Sequence, residues 1–171
     1  MTLRPARLYL IGFIFPLIPP TRLFGLKRAL LRWCGAQVGE NVRVSSSARF
    51  LSNGPLRVGD GTWIGHQVLI TGGDAPVVIG ANVDIAPRTL IVTGTHLPEP
   101  GTRKAAGAGV SLPVHIEDGA WIGAGATILG GAVVGASSIV AASALVRGKL
   151  APGGVFGGVP ARALDKENVG A

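Results

Sequence analysis

The chain has 171 residues, with 27 glycines, 5% aromatics and one cysteine, which excludes an internal disulfide and suits thin strands and tight corners better than a broad-cored globule. Its net charge of +7 sits in residues 1–49, where eight bases face Glu40 alone, and the remainder is neutral. The remainder has no basic stripe interleaved with aromatics, which argues against a nucleic-acid partner.

From Leu8 to Pro20 the chain is uncharged and mostly apolar, LYLIGFIFPLIPP. That is too short to span a bilayer, which needs about 20 residues, and three prolines interrupt it. Arg4 and Arg7 ahead of it look like the start of a secretory signal, yet no A-x-A-like cleavage site follows. Thr21 to Trp33 reads as an amphipathic helix, with Leu23, Leu26, Leu30 and Leu31 on one face and Arg22, Lys27, Arg28 and Arg32 largely elsewhere. Two readings of residues 1–35 stand. The segment is a cap on the exposed strand edges of the domain that follows. Alternatively, residues 1–33 are a peripheral membrane foot, with apolar side chains in the interface and bases on anionic headgroups. Cys34 reads as a small buried apolar residue, and a lone cysteine fits a reducing, cytoplasmic compartment, at the inner membrane face on the second reading.

Beyond residue 36 every sixth residue is aliphatic or aromatic. Val38, Val44 and Phe50 are followed by Val58, Ile64 and Ile70, then Ile79, Ile85 and Ile91, and later by Ile116, Ile122, Ile128, Val134, Val140 and Val146. Four places after most of these stands a small or β-branched residue, such as Val42, Ala48, Thr62, Val68, Ala120, Ala126 or Ala132. A period of six is three strand alternations and does not match the 3.6 of a helix. It predicts short strands joined by tight turns, stacked as a hexapeptide-repeat β-solenoid over residues 36–164, with a tail at 165–171.

The phase slips by two residues between Phe50 and Val58 and by three between Ile70 and Ile79. The large break follows Ile91. Residues 97–109, LPEPGTRKAAGAG, read as an extruded loop, and Thr93-Gly94-Thr95-His96 stands immediately before it. Loops on a rigid solenoid tend to carry function, so His96 is the first place to look for chemistry.

VIGANVDIAP (78–87) runs into TGTH (93–96), the loop, PVHIEDGAWIGAGATIL (113–129) and a closing GGVPAR (157–162). In that order the chain resembles the hexapeptide-repeat acyltransferases, in their maltose/galactoside O-acetyltransferase branch and its polysaccharide-biosynthesis relatives. The resemblance covers about residues 36–164. It implies an all-β, left-handed parallel β-helix, a homotrimer with active sites between subunits, acetyl-CoA as co-substrate and no metal. It further implies O-acetylation of a sugar hydroxyl, and the basic apolar N-terminus extends that to a lipid-linked saccharide acceptor.

Carried over position by position, His96 matches the catalytic histidine. An imidazole there can take the proton of an otherwise poor hydroxyl nucleophile as it attacks a thioester, in direct transfer without a covalent enzyme intermediate. The backbone N–H of Ala124, from the neighbouring subunit, is expected to face the developing oxyanion. Trp121 aligns with an aromatic beside the CoA cleft, and Ala142 and Ser143 with small residues along the pantetheine arm. Arg162 aligns with a basic residue near the nucleotide end. Where relatives have Thr-Lys after the final coil, this chain has Arg147-Gly148-Lys149, which moves the phosphate contact to Arg147 or Lys149. His66 and Asp74 align with the acceptor region, although Asp74 in GGDAP is also a plain turn former. Asp84 either orients His96 or faces solvent.

Alternatives remain at this level. An N-acetyltransferase on an amino or nucleotide sugar would use the same residues. A γ-class carbonic anhydrase-like zinc site needs three histidines, and the chain has three, His66, His96 and His115. Their gaps of 30 and 19 residues do not match that family's closely spaced pair. A non-enzymatic solenoid would favour regular faces without the large loop. Acyl-chain length and the acceptor sugar stay open.

Overall fold

In the computed structural model each hexapeptide forms one short strand and one corner, and residues 2–165 are described. The tail expected at 165–171 therefore lies outside the described residues beyond Asp165. Coil 1 comprises β1 (Gln37–Val38), β2 (Arg43–Val44) and β3 (Arg49–Ser52). Coil 2 comprises β4 (Leu56–Val58), β5 (Trp63–Ile64) and β6 (Leu69–Gly72), and coil 3 β7 (Val77–Ile79), β8 (Asp84–Ile85) and β9 (Leu90–Val92). The hairpin β10 (Gly94–Pro98) and β11 (Ala106–Ser111) interrupts the stack. Coil 4 is β12 (Val114–Ile116), β13 (Trp121–Ile122) and β14 (Thr127–Leu129), and coil 5 is β15 (Val133–Val134), β16 (Ile139–Val140) and β17 (Leu145–Val146). β18 (Lys149–Leu150), β19 (Val155–Gly157) and an antiparallel β20 (Arg162–Ala163) close the stack.

Strands of successive coils pair in parallel and build three faces of a prism. Face A is β1-β4-β7-β12-β15-β18, face B runs β2-β5-β8-β13-β16-β19-β20, and face C holds β17-β14-β9-β6-β3. The sixfold beat is the inward row of this prism. All fifteen beat residues named above are buried, and the small residues four places on fill the space beneath the corners. The corners turn through the left-handed region, at Asn41, Gly61, Asn82, Gly119 and Ser137 on the A–B edge. Gly and Asn bear that conformation at least cost. The phase slips fall on the C–A edge, where Asn53–Pro55 and Gly73–Pro76 make longer corners.

The first coil would leave backbone carbonyls open along one edge. Helix α2 (Phe24–Trp33), preceded by α1 (Pro5–Ile14) and a 3-10 turn at Phe15–Leu17, closes that edge with cations. Lys27 Nζ reaches Val44 O at 3.1 Å, and also Pro19 O at 3.1 Å and Pro20 O at 2.8 Å. Arg28 Nη1 donates to Val42 O at 3.2 Å, and Arg32 to Val38 O at 2.8 Å and Gly39 O at 3.1 Å. Arg32 also pairs with exposed Glu40 at 2.8 Å. The helix expected from Thr21 thus begins at Phe24, and its orientation differs from the amphipathic reading. Lys27 is wholly buried and Leu31 packs inward, whereas Leu23 and Leu26 are exposed. Hydrogen bonding to orphan carbonyls outweighs hydrophobic sorting at this edge. The capping role expected for this segment is therefore present. Its burial holds the Lys27 pKa below the usual lysine value.

Candidate functional site

The extruded loop expected over 97–109 is the outer part of a two-stranded antiparallel arm. Alternating small residues in Ala106–Ser111 let it pair with Gly94–Pro98. Its neck is tied to the coils. Thr93 N–H donates to Thr71 O at 3.1 Å, and Leu112 N–H returns to Thr93 O at 2.9 Å. A Cβ on Gly130, in the coil beyond, would stand 2.8 Å from Thr93 O, so glycine there lets the neck close. Thr93 Oγ1 is buried at this root without a hydrogen-bond partner.

His96 pairs with Gly109 across the arm. Its Nε2 lies 4.0 Å from where a Cβ on Gly109 would stand, so the ring rests on the bare glycine. The side chain is exposed and makes no hydrogen bond to a described residue, which leaves both ring nitrogens free for a substrate. Asp74 shares this C–A edge. Its turn is held to the arm by Ala75 N–H donating to Ser111 Oγ at 3.1 Å, and Ser111 pairs with Gly94. Arg147 follows β17 on the same edge, and Lys149 opens β18 on face A opposite Val133.

A second group follows face B and the B–C edge through the last coils. Trp121 is 53% exposed, in register with Asp84 on one side and Ile139 on the other. Ala124 stands at the next corner, and Ser143 N–H donates to Ala124 O at 2.8 Å. The N–H groups of Ala124 and Ala142 donate to no described residue and lie at exposed corners. In coil 3 the same corner position holds Pro87, which has no N–H. GGVPAR stacks on this corner through Leu145 N–H to Gly158 O at 3.0 Å and Ala161 N–H to Leu145 O at 2.7 Å, and Arg162 pairs with Gly157. Trp121, Ala124, Ala142, Ser143 and Arg162 therefore form one exposed track of small residues beside an indole, ending in a guanidinium. A narrow apolar-and-amide ligand arm with anionic groups at its far end fits it.

The two groups are on different edges. Ala124 and Gly130 bound β14, and six residues of strand span up to roughly 20 Å. Among the described residues no backbone hydrogen bond or strand pairing joins the His96 strand to the Ala124 corner. Asp84 lies on face B between Trp63 and Trp121, exposed and away from the arm, so within one chain it faces solvent. His66 is on the B–C edge of coil 2, far along β6 from Asp74, with Nδ1 2.6 Å from Ser47 Oγ. His115 is on face A, so the three histidines stand on one edge, on the arm at another edge and on a face of the prism. Arg147 and Lys149 are not on the track that ends in Arg162. Cys34 is buried below α2, and burial raises its thiol pKa against the lowering effect of Arg7.

The polar neighbours of His66 went unread in the sequence. Ser47 Oγ also accepts from Gln67 N–H at 3.0 Å, and Arg88 Nε donates to Gln67 Oε1 at 3.1 Å. The signal was present: Ser47, Gln67 and Arg88 each stand three places after a beat residue and so stack at one corner. Gln67 and Arg88 hold φ of 56° and 63°, unfavourable for such side chains.

Residues 113–148 match the family model described as bacterial transferase hexapeptide (six repeats). Over 94% of its length the chain is similar to a hexapeptide-repeat-containing acetyltransferase of Vibrio cholerae, VCA0836, solved in complex with acetyl coenzyme A. The two are 30% identical, 85% of that chain is covered, and the TM-score is 0.77. WcaF of Escherichia coli K12, named as a colanic acid biosynthesis acetyltransferase, is 35% identical over 78 residues, 45% of this chain and 42% of WcaF. The yeast protein YJL218W, named as an acetyltransferase, is 39% identical over 72 residues, 42% of this chain and 36% of that one. The chain thus aligns with less than half the length of these curated relatives.

Proposed function

Since the chain belongs to the hexapeptide-repeat acetyltransferase family, we propose that it transfers an acetyl group from acetyl-CoA to a sugar hydroxyl in glycan or surface-polysaccharide biosynthesis, at sites shared between the subunits of a homotrimer. The observation that carries this reading is the separation of two complementary halves. An unpaired imidazole is held out on an arm at one edge, and a track with free N–H groups lies at another. Association of copies is the simple way to complete the site.

Acetyl-CoA supplies the activated thioester. In this reading its pantetheine arm lies along Ala142 and Ser143 beside Trp121, with its phosphates toward Arg162. His96 accepts the proton of the acceptor hydroxyl as the oxygen attacks the thioester carbonyl, and Ala124 N–H faces the acyl oxygen as charge develops there. Collapse breaks the C–S bond, and the proton held by His96 passes to the departing CoA thiolate, which leaves the acetyl ester and free CoA. His66 and Asp74 are assigned to acceptor contacts. The support is their exposure and the tie of the Asp74 turn to the arm.

The test is His96→Ala. Turnover should fall by roughly 10²–10⁴, with CoA affinity by calorimetry nearly unchanged, since the imidazole acts on the acceptor. Retained activity with lost CoA binding would overturn the assignment. Running the assay on neutral and amino sugars in parallel separates O- from N-acetylation.

A further inference from the structure

Apart from Arg7, helix α1 is apolar, and only one of its sides is packed on the domain. Leu8, Ile11 and Phe15 are buried against the first coil. On the other side Tyr9, Phe13 and Leu17, spaced four apart, are 68%, 61% and 84% exposed, and Leu10 and Ile14 beside them are also open. Leu23 and Leu26 add exposed side chains at the start of α2. An exposed apolar stripe of this extent marks a contact surface.

Charge narrows the occupant. Residues 2–39 contain six bases and no acid. Lys27, Arg28 and Arg32 are engaged with backbone carbonyls. Arg4 and Arg22 are exposed and lie on either side of the apolar stripe in sequence, and Arg7 and Arg22 bound the uncharged run 8–21. Arg7, one helical step from Leu10, gives Nη1 to Trp33 O at 2.6 Å and lies 4.5 Å over the half-exposed Trp33 ring, a pairing of base and indole suited to a headgroup layer. Among the described residues no helix is long and apolar enough to cross a membrane. A short stripe with bases around it can lie in the interface plane.

We propose that the outer face of α1, with Arg4, Arg7 and Arg22 around it, docks the protein on an anionic lipid surface. The inference is independent of the acceptor's identity. It would place the acetylation site beside lipid-linked saccharides if the reading above holds.

The experiment uses the full chain and the double variant Phe13→Ser with Leu17→Ser, neither of which belongs to the site described above. Each is sedimented with vesicles of phosphatidylcholine alone and with phosphatidylglycerol added. Acetyl transfer to a soluble sugar and oligomer mass by light scattering are recorded alongside. The expected result is phosphatidylglycerol-dependent binding of the native chain, weakened by salt and reduced at least about tenfold in the variant, with unchanged mass and soluble-acceptor activity. Three results would overturn it: no binding of the native chain, binding without anionic preference, or loss of the oligomer in the variant, which would make a second copy the occupant. Vesicle binding without any acetyl transfer would sink the enzymatic reading and leave this one standing.

Discussion

Lys27 shows how far one side chain can depart from its pattern. On a helical wheel it belongs with the solvent-facing bases, yet it is wholly buried with three carbonyls around its ammonium. Lys27→Met keeps the stem and removes the donors, and should cost about 3 kcal/mol in denaturant unfolding. The pH dependence follows from the direction of its shift. Burial lowers the folded-state pKa below 10.5, so between those two values the unfolded chain binds more protons. The Lys27 contribution to stability should therefore rise with pH through that window and be least favourable below it. A native-minus-variant difference that falls as pH climbs toward 10.5 would contradict this. Cys34, buried and with its thiol pKa raised, should resist thiol reagents until the protein unfolds. At Ala124 the informative change is to proline, because Pro87 shows that this corner accepts the ring one coil earlier. Ala124→Pro deletes only the free N–H and should lower kcat by roughly 10²–10³ while the melting temperature holds.

Among the elements, the β10–β11 arm and α2 carry the lessons. From Thr95 to Ala106 the arm is exposed throughout, so it contributes little to the core. Replacing residues 97–108 with two glycines should change stability by less than about 1 kcal/mol and abolish acetyl transfer. Calorimetric melting and an acetyl-CoA consumption assay would check both halves, and a large loss of stability would show that the arm is part of the fold. The interruption was legible as a break of phase. Its hairpin form was not, because Gly and Ala in Ala106–Ser111 carry almost no strand propensity and pair only once the neck brings them alongside Gly94–Pro98. In α2 the helix was legible and its facing was not, since which side turns inward depends on where the open carbonyls of coil 1 lie.

At the scale of the molecule, the prism separates His96 from Ala124, and shared sites make a distinctive prediction. His96→Ala and Ala124→Pro subunits are each inactive alone. Mixed and allowed to exchange, they should recover up to about a quarter of native activity, because random pairing rebuilds that share of interfaces with both native residues. No recovery, in a preparation shown to exchange subunits, would place the whole site within one chain. The beat from Val38 to Val146 determined the solenoid by itself, because alternation along a strand and the sixfold return to the interior are local properties of the chain. Composition likewise located the basic cap, and the phase break located His96. Only the tertiary structure decided that α2 turns its cations onto an open strand edge and that Asp84 lies on face B between two tryptophans, away from its own chain's arm. It also decided that Trp121, Ala124, Ala142, Ser143 and Arg162 share a track that Arg147 and Lys149 do not. Which edge of the prism a residue occupies depends on how successive coils stack, and residues adjacent in sequence can stand on different edges.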